Sequence, residues 1–252
     1  MANILDRYGI KEVADCCFYK IDETTHGPGE LVLYLDTLKV STIEQTAELA
    51  EAKGGKGNPS LIAWDYGKEI TVSLEDALFS AKSMAIMYGD ESKPEDAEAT
   101  EILKTMRWTA TSASMPEKVK VNDSEFTIAK DEDENPLVKL YDIKTGASVS
   151  TPVANTEYLL TATLQVGGTQ IVISAEQFPG TYYVTGDTYA RSEATGEDEF
   201  FQFIIPKAKV QSENTLTLEA EGDPSVFSMN LKVLRPADGV MMKLVKYDVA
   251  SS

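Results

Sequence analysis

Residues 196–234 alternate apolar and polar positions for most of their length. Leu216, Leu218 and Ala220 are separated by Thr217 and Glu219, while Phe227, Met229, Leu231 and Val233 are separated by Ser228, Asn230 and Lys232. Side chains two apart share a face of a strand, so each run has an oily side and a wet side and reads as a half-buried antiparallel strand. Between them Glu221-Gly222-Asp223-Pro224 carries turn chemistry, which predicts a hairpin-like pair.

The same reading extends along the chain. Leu31–Leu35 is a short apolar run after His26-Gly27-Pro28-Gly29 and predicts a buried strand. Residues 41–53 score as helix by propensity but have a thin apolar face, which leaves helix and strand both open. Gly54, Gly55, Lys56, Gly57, Asn58 and Pro59 have the composition of a mobile loop. Ile70, Val72 and Leu74 then alternate as a strand should, and the period changes. Leu74, Leu78, Ala81, Ala85 and Tyr88 fall on one helical face, Ser73 and Asp76 fit a capping box, and Gly89 sits where a C-cap glycine belongs. This predicts a strand running into a helix at about 74–88, about 22 Å long, with its apolar stripe on a sheet. Val119–Val121, Phe126–Ile128, Leu137–Tyr141 and Tyr158–Val166 read as short strands. Gly167-Gly168 followed by Thr169–Ile173 reads as a hairpin, and Tyr182–Val184, Phe200–Ile205 and Val240–Val249 add further strands. The expected class is mainly β (α+β), two packed antiparallel sheets with one flanking helix.

Composition narrows the function. The 252 residues are 42% hydrophobic, enough to fill a core without staples. No apolar run approaches the roughly 20 residues of a bilayer-spanning helix, so a soluble chain made in the cytoplasm, with no membrane partner, is expected. Cys16 and Cys17 are adjacent, which suits neither an internal disulfide nor a metal knuckle. With 41 acidic against 23 basic residues the net charge is −18, and the averaged field repels nucleic acid phosphates. The acidic runs 91–101, 131–134 and 193–199 read first as solvated loops, and more sharply as a surface that lets DNA pass without sticking.

Catalytic chemistry is sought without result. The single histidine, His26, lies in a Gly-Pro loop and reads as a turn residue. Gly54-Gly55-Lys56-Gly57 lacks the order GxxxxGK[ST] of a phosphate loop. Asp131, Asp133, Asn135 and Asp142 occupy positions one, three, five and twelve of a calcium-loop register, but Pro136 stands where that loop needs glycine. Glu197-Asp198 is an acid pair without a distinguishing apolar setting. No enzyme activity, cofactor or metal is expected. Trp64, Trp108 and the tyrosines are rings of the kind that stack on sugars, so a carbohydrate-binding β-sandwich stays an alternative, although Trp64 in its apolar setting reads as core.

Several strings resemble one family of virion proteins: GGKGNPSLIAWDYGKEITVSLEDALFSAKSM at 54–84, EDEFFQFIIPKAKV at 197–210, EGDPSVFSMNLKVLRP at 221–236 and MMKLVKYDV at 241–249. Together they look like the tail tube (major tail) proteins of tailed bacteriophages. The resemblance covers about half the chain. It implies hexameric rings that stack into a tube, partnered by other tail proteins and the tape measure, with genomic DNA passing transiently through an acidic bore, and location in the virion tail. It makes residues 54–59 the candidate inter-subunit loop and Leu74, Leu78, Ala81, Ala85 and Tyr88 the candidate helix–sheet core. The chain is longer than a minimal tube subunit. The expected division is a tube-like core of 1–117 and 191–252 with 118–190 as an added β-rich module. The alternative within virion proteins is a capsid decoration or tail terminator.

Overall fold

The structure, a computed structural model, describes residues 7–90, 100–168, 170–213 and 226–247. The alternating run at 216–220, the turn at 221–224 and most of the acidic run at 91–101 lie outside the described residues. The protein is mainly β, with two antiparallel sheets, one short helix and no closed barrel among the described residues. It divides into two compact units, one formed by 1–92 with 171–252 and the other by 93–170. The expected boundaries at 117/118 and 190/191 therefore differ from the observed ones.

The first unit begins with strands β1 (Tyr8–Ile10), β2 (Asp15–Ile21), β3 (Pro28–Leu35), β4 (Leu38–Lys53) and β5 (Ser60–Asp76), followed by helix α1 (Ala81–Tyr88). The second unit holds β6 (Thr100–Thr109), β7 (Lys118–Val121), β8 (Ser124–Ile128), β9 (Val138–Asp142), β10 (Ser148–Val149) and β11 (Glu157–Val166). The chain then returns to the first unit with β12 (Thr181–Ser192), β13 (Asp198–Val210), β14 (Phe227–Val233) and β15 (Lys243–Tyr247).

In the first unit nine strands form one sheet in the order β3-β2-β12-β13-β14-β5-β4, with β1 on β12 and β15 on β13. One side of β13 serves two partners, pairing β15 at Phe200–Ile204 and β14 at Ala208–Val210. Pro206 sits between these segments. Proline cannot donate to a ladder and is found at bulges, and here the register with β12 shifts between Tyr182 and Val184, beside it. The strand thus passes from one set of neighbours to another, and the two stretches of sheet enclose a single core. Phe18, Leu33 and Leu35 enter it from one edge, Val72, Leu74 and Leu231 from the other, and Val184, Phe203 and Ile205 from the centre. Each such side chain contributes about 1.5–3 kcal/mol on leaving water. Gly186 lies opposite Phe203 in the register, and a Cβ there would stand 2.1 Å from the edge of the Phe203 ring, so the absence of a side chain is a packing requirement.

The helix is shorter than its sequence pattern predicts. Strand β5 continues to Asp76, whose carboxylate accepts from Thr37 Oγ1 at 2.5 Å and from the Leu78 amide at 3.2 Å, holding residues 77–80 in a turn. Ser73 is not a cap. Its hydroxyl donates to Asn230 Oδ1 at 2.8 Å across to β14. The N-cap is Ser80, in a reciprocal capping box with Ser83, and Gly89 closes the helix at φ 78° as expected. Leu74 is therefore a buried strand residue, Ala85 is a buried helix residue, Ala81 and Tyr88 are half-buried, and Leu78 is 64% exposed outside the helix. Of the five positions expected to form one helical stripe, Leu78 is off the core altogether.

The second unit is organised by β11. One of its sides pairs β6 over ten positions, from Glu157↔Thr109 to Val166↔Thr100; the other pairs β9 and then β8. Its inward row, Tyr158, Leu160, Ala162 and Leu164, is buried against Val119, Ile128 and Leu140. Among the described residues no strand follows Gly167-Gly168 to make the expected hairpin: 170–180 are not strand, and the long-range partners of β11 take the edges that a following strand would have used.

Candidate assembly surface

The longest element pair is the hairpin of β4, with 16 residues, and β5, with 17. Segment 41–53 resolves as strand. Thr42, Ile43 and Thr46 are β-branched, and pairing with β5 along the hairpin outweighs the helix propensity of its Ala and Glu residues. Its thin apolar face also has a cause: residues 42–51 and 60–69 are exposed on both sides, so there is no core for them to face. The hairpin runs roughly 30 Å beyond the core as a bare two-stranded ribbon, at about 3.3 Å per residue. Such a ribbon is at best marginal on its own in water.

A bulge divides this arm. Thr46 pairs with Glu69 and Glu48 with Tyr66, leaving Ala47 opposite Gly67 and Lys68, and Gly67 takes φ 62°. Thr46 and Glu48 are two apart and share a face, so Glu69 and Tyr66 share that face too. Ile70 points the other way, into the core. Beyond the bulge the apolar row Ile62, Trp64 and Tyr66 therefore lies on the side opposite to the core row Ile70, Val72 and Leu74. Trp64 is 54% exposed, which corrects its expected place in the core; its neighbours Ile62 and Tyr66 are likewise exposed. A hydrogen bond to the Glu48 carboxylate raises the Tyr66 phenol above its ordinary pKa.

The candidate loop Gly54, Gly55, Lys56, Gly57, Asn58 and Pro59 is the tip of this arm. Gly54 donates to the Pro59 carbonyl at 3.1 Å and Asn58 to that of Gly55 at 3.1 Å. Gly55, Gly57 and Asn58 have φ of 83°, 86° and 49°, so the composition read as mobile is the chemistry of a tight turn. Among the described residues neither Lys56 nor Lys68 takes part in an ion pair.

A second exposed surface is the outward face of β2, β3, β12, β13 and β15, which sequence reading did not single out. Asp15 and Asp187 stand directly opposite one another across β2 and β12, and like charges so placed repel. Tyr34 Oη donates to Asp15 at 3.5 Å, and Asp15, then partial burial, then Asp36 raise its pKa. Asp187 accepts from Gln202 Nε2 at 2.8 Å and from Tyr247 Oη at 3.3 Å. Phe200 joins Tyr189 to Tyr247 with ring centroids 5.4 and 5.2 Å apart. Tyr34, Tyr189 and Tyr247 are exposed. Among the described residues no ion pair neutralises Asp15, Asp36 or Asp187. A signal was present in DCCFYKI, where Asp15, Cys17 and Tyr19 alternate with Cys16 and Phe18.

The residues weighed for chemistry do not converge. His26, with φ 55°, is a turn residue whose amide donates to the Asp22 carbonyl at 2.9 Å. Asp131 turns its carboxylate onto the amides of Asp133 and Asn135, and Asp142 onto those of Lys144 and Thr145. No group of three or more His, Cys, Asp or Glu is placed to hold a metal among the described residues. Burial, then the neighbouring Cys17 and Asp15, push the Cys16 thiol far up and keep it protonated. No described helix is long and apolar enough to cross a membrane.

The sequence pattern of one protein family matches residues 8–246 of the 252. The chain belongs to the YomU/Tube protein family. The match runs from β1 through β15, so the YomU/Tube family spans both units and includes the bare arm and the aromatic face. No curated protein matches the chain.

Proposed function

We propose that this chain is a structural protein of a phage virion, the tube subunit of the tail, and that six copies close into rings that stack into a DNA-conducting tube. The observation that carries the reading is the β4–β5 arm: 16- and 17-residue strands whose outer halves find no core in their own subunit. A long edge strand with a free row of amides and carbonyls is an aggregation hazard unless another chain completes it. Both ends of the nine-stranded sheet, β3 and β4, are such edges. Joining sheets of neighbouring copies into one closed wall removes the edges. The family name supports a tube. The net charge of −18 supports a bore that repels the DNA sliding through it. The subunit works by assembly, with no catalytic step and no cofactor, and its other partners are the remaining tail proteins and the tape measure.

Negative-stain microscopy of the purified chain over a concentration series tests this. Rings or tubes about 100 Å wide are expected, a width set by roughly two dozen tilted strands plus the outer elements. Protein that stays monomeric at every concentration in virion-like buffer refutes it.

A further inference from the structure

We infer that residues 60–66, the outer half of β5, add edge to edge to β3 of a second copy. The inference rests on the assembly reading above and names the two edges that meet. A free strand edge invites pairing unless it is very short or charged side chains guard it. Among the edge strands of the described sheets, β1 and β10 have only three and two residues, β6 carries Lys104 and Arg107, β7 Lys118 and Lys120, and β15 Lys243 and Lys246. The arm's own β4 edge carries Glu44, Glu48 and Glu51. Two edges are left without guards. Strand β14 covers β5 only from Thr71 to Asp76, so the side of 60–66 away from β4 has no partner among the described residues, and its sequence SLIAWDY holds one charge and no proline or glycine. Strand β3 pairs with β2 on one side alone, and its one charge, Glu30, is matched by Lys20 at 2.8 Å.

The two edges suit each other in length, with eight residues in β3 against 60–66, and in exposed apolar side chains, Leu31 and Tyr34 on one and Leu61, Ile62 and Trp64 on the other. Side by side, such residues make the cross-strand pairs that stabilise a sheet. The partner is a second copy because both unguarded edges lie on one chain and cannot meet within it. Strand β3 joins β4 through Asp36-Thr37 and is eight residues long, whereas 60–66 pair with β4 only from Glu48 outward, ten positions past Leu38. The segment thus lies beyond the far end of its own β3. Such a pairing is heterologous: each copy offers its arm to one neighbour and its β3 to another, which yields a ring or an open stack and not a closed dimer.

The test uses the full chain and writes a guard into each edge. Leu31→Lys and Ile62→Lys, both at exposed positions, are each expected to lower the assembled fraction about tenfold at fixed concentration with the melting temperature of the monomer unchanged, and Glu44→Lys on the β4 edge to leave assembly within about twofold. Mixed one to one where each alone is monomeric, the two edge variants are expected to form complexes of two copies in sedimentation, because the arm of the Leu31→Lys chain meets the intact β3 of the Ile62→Lys chain. In a mixture of isotope-labelled and unlabelled protein, benzoylphenylalanine in place of Tyr34 is expected on irradiation to join residues 60–66 of another copy in assemblies, and not in monomers. Wild-type tubes whose edge variants assemble normally, a variant mixture that stays monomeric, or crosslinks between copies from position 34 to other segments overturn the inference and leave the tube reading standing. A wild-type chain that never assembles overturns both.

Discussion

At the scale of single residues, three hairpin turns share one construction. In 22–27, 142–147 and 192–197 the first residue donates its amide to the carbonyl of the sixth, and the fifth donates to the carbonyl of the first. The side chain of the first residue accepts from the amide of a threonine at the fourth position, whose hydroxyl accepts from the sixth. The fifth residue is left-handed in all of them, at φ 55° for His26, 69° for Gly146 and 71° for Gly196. A non-glycine residue there is strained. His26→Gly is therefore expected to stabilise the protein by about 0.5–1 kcal/mol, part of the relief being offset by chain entropy, as read from the urea midpoint. The acidic members of such turns also set an acid limit. Backbone and threonine-hydroxyl hydrogen bonds hold the carboxyls of Asp22 and Asp142 below their ordinary 3.8, and in the separate turn at 131–135 the Asn135 backbone and side-chain amides and the Asp133 amide do the same for Asp131. A lowered folded-state value gives stability that is fully present above the ordinary value and lost as pH falls through the lowered ones. The melting temperature is expected to hold down to about pH 4.5 and fall below about pH 4, with a shallower fall in the Asp22→Asn, Asp131→Asn, Asp142→Asn variant. His26 as a turn residue was legible from its Gly-Pro setting. The shared turn was not, because His replaces Gly in one copy and Ser replaces Asp in another.

At the scale of elements, what the sequence showed best was what burial enforces. Ile70, Val72 and Leu74, and Met229, Leu231 and Val233, alternate in sequence and are buried in the structure, because one face of each strand meets the core. The helix failed at its start because a side chain, not periodicity, decides it: Asp76 takes the Thr37 hydroxyl and the Leu78 amide and delays the helix to Ser80. Leu74→Ala is accordingly expected to cost about 2–5 kcal/mol, and Leu78→Asp less than about 0.5 kcal/mol, in chemical denaturation. Loss of the fold in Leu78→Asp would show that residues 77–80 are core after all. The arm was illegible for a different reason. Strands without a core have no apolar alternation to display, and only their pairing partner, 20 or so residues away, reveals them.

At the scale of the molecule, the division into units turns on two neighbouring backbone points. The Asp90 carboxylate accepts from the Val172 amide at 2.8 Å, and the backbone of Phe178–Pro179 packs on Gly89 so closely that no Cβ fits. The places where the chain leaves and rejoins the first unit are thus side by side. Replacing 93–170 by a linker of about six glycine and serine residues is expected to leave a cooperatively folded first unit, since closing a short loop between adjacent ends costs little. Circular dichroism with thermal melting checks this, and a chain that no longer melts in one transition would show that the first unit needs the second. Sequence reading expected a β-rich elaboration at 118–190, whereas the second compact unit is 93–170. The limits of that unit were not legible, because β6 belongs to it through pairing with β11, and β12 to the first unit through pairing with β2 and β13, and such long-range partners leave no local mark in the sequence.

The bulge at Gly67 draws a border within a single strand. Residues 70–76 are policed by the stability of their own subunit, since any misfit there empties or overfills its core. Residues 60–66 escape that scrutiny, so their drift is judged only by whatever surface they meet. Two lineages with interchangeable cores can in this way acquire arms that no longer recognise each other.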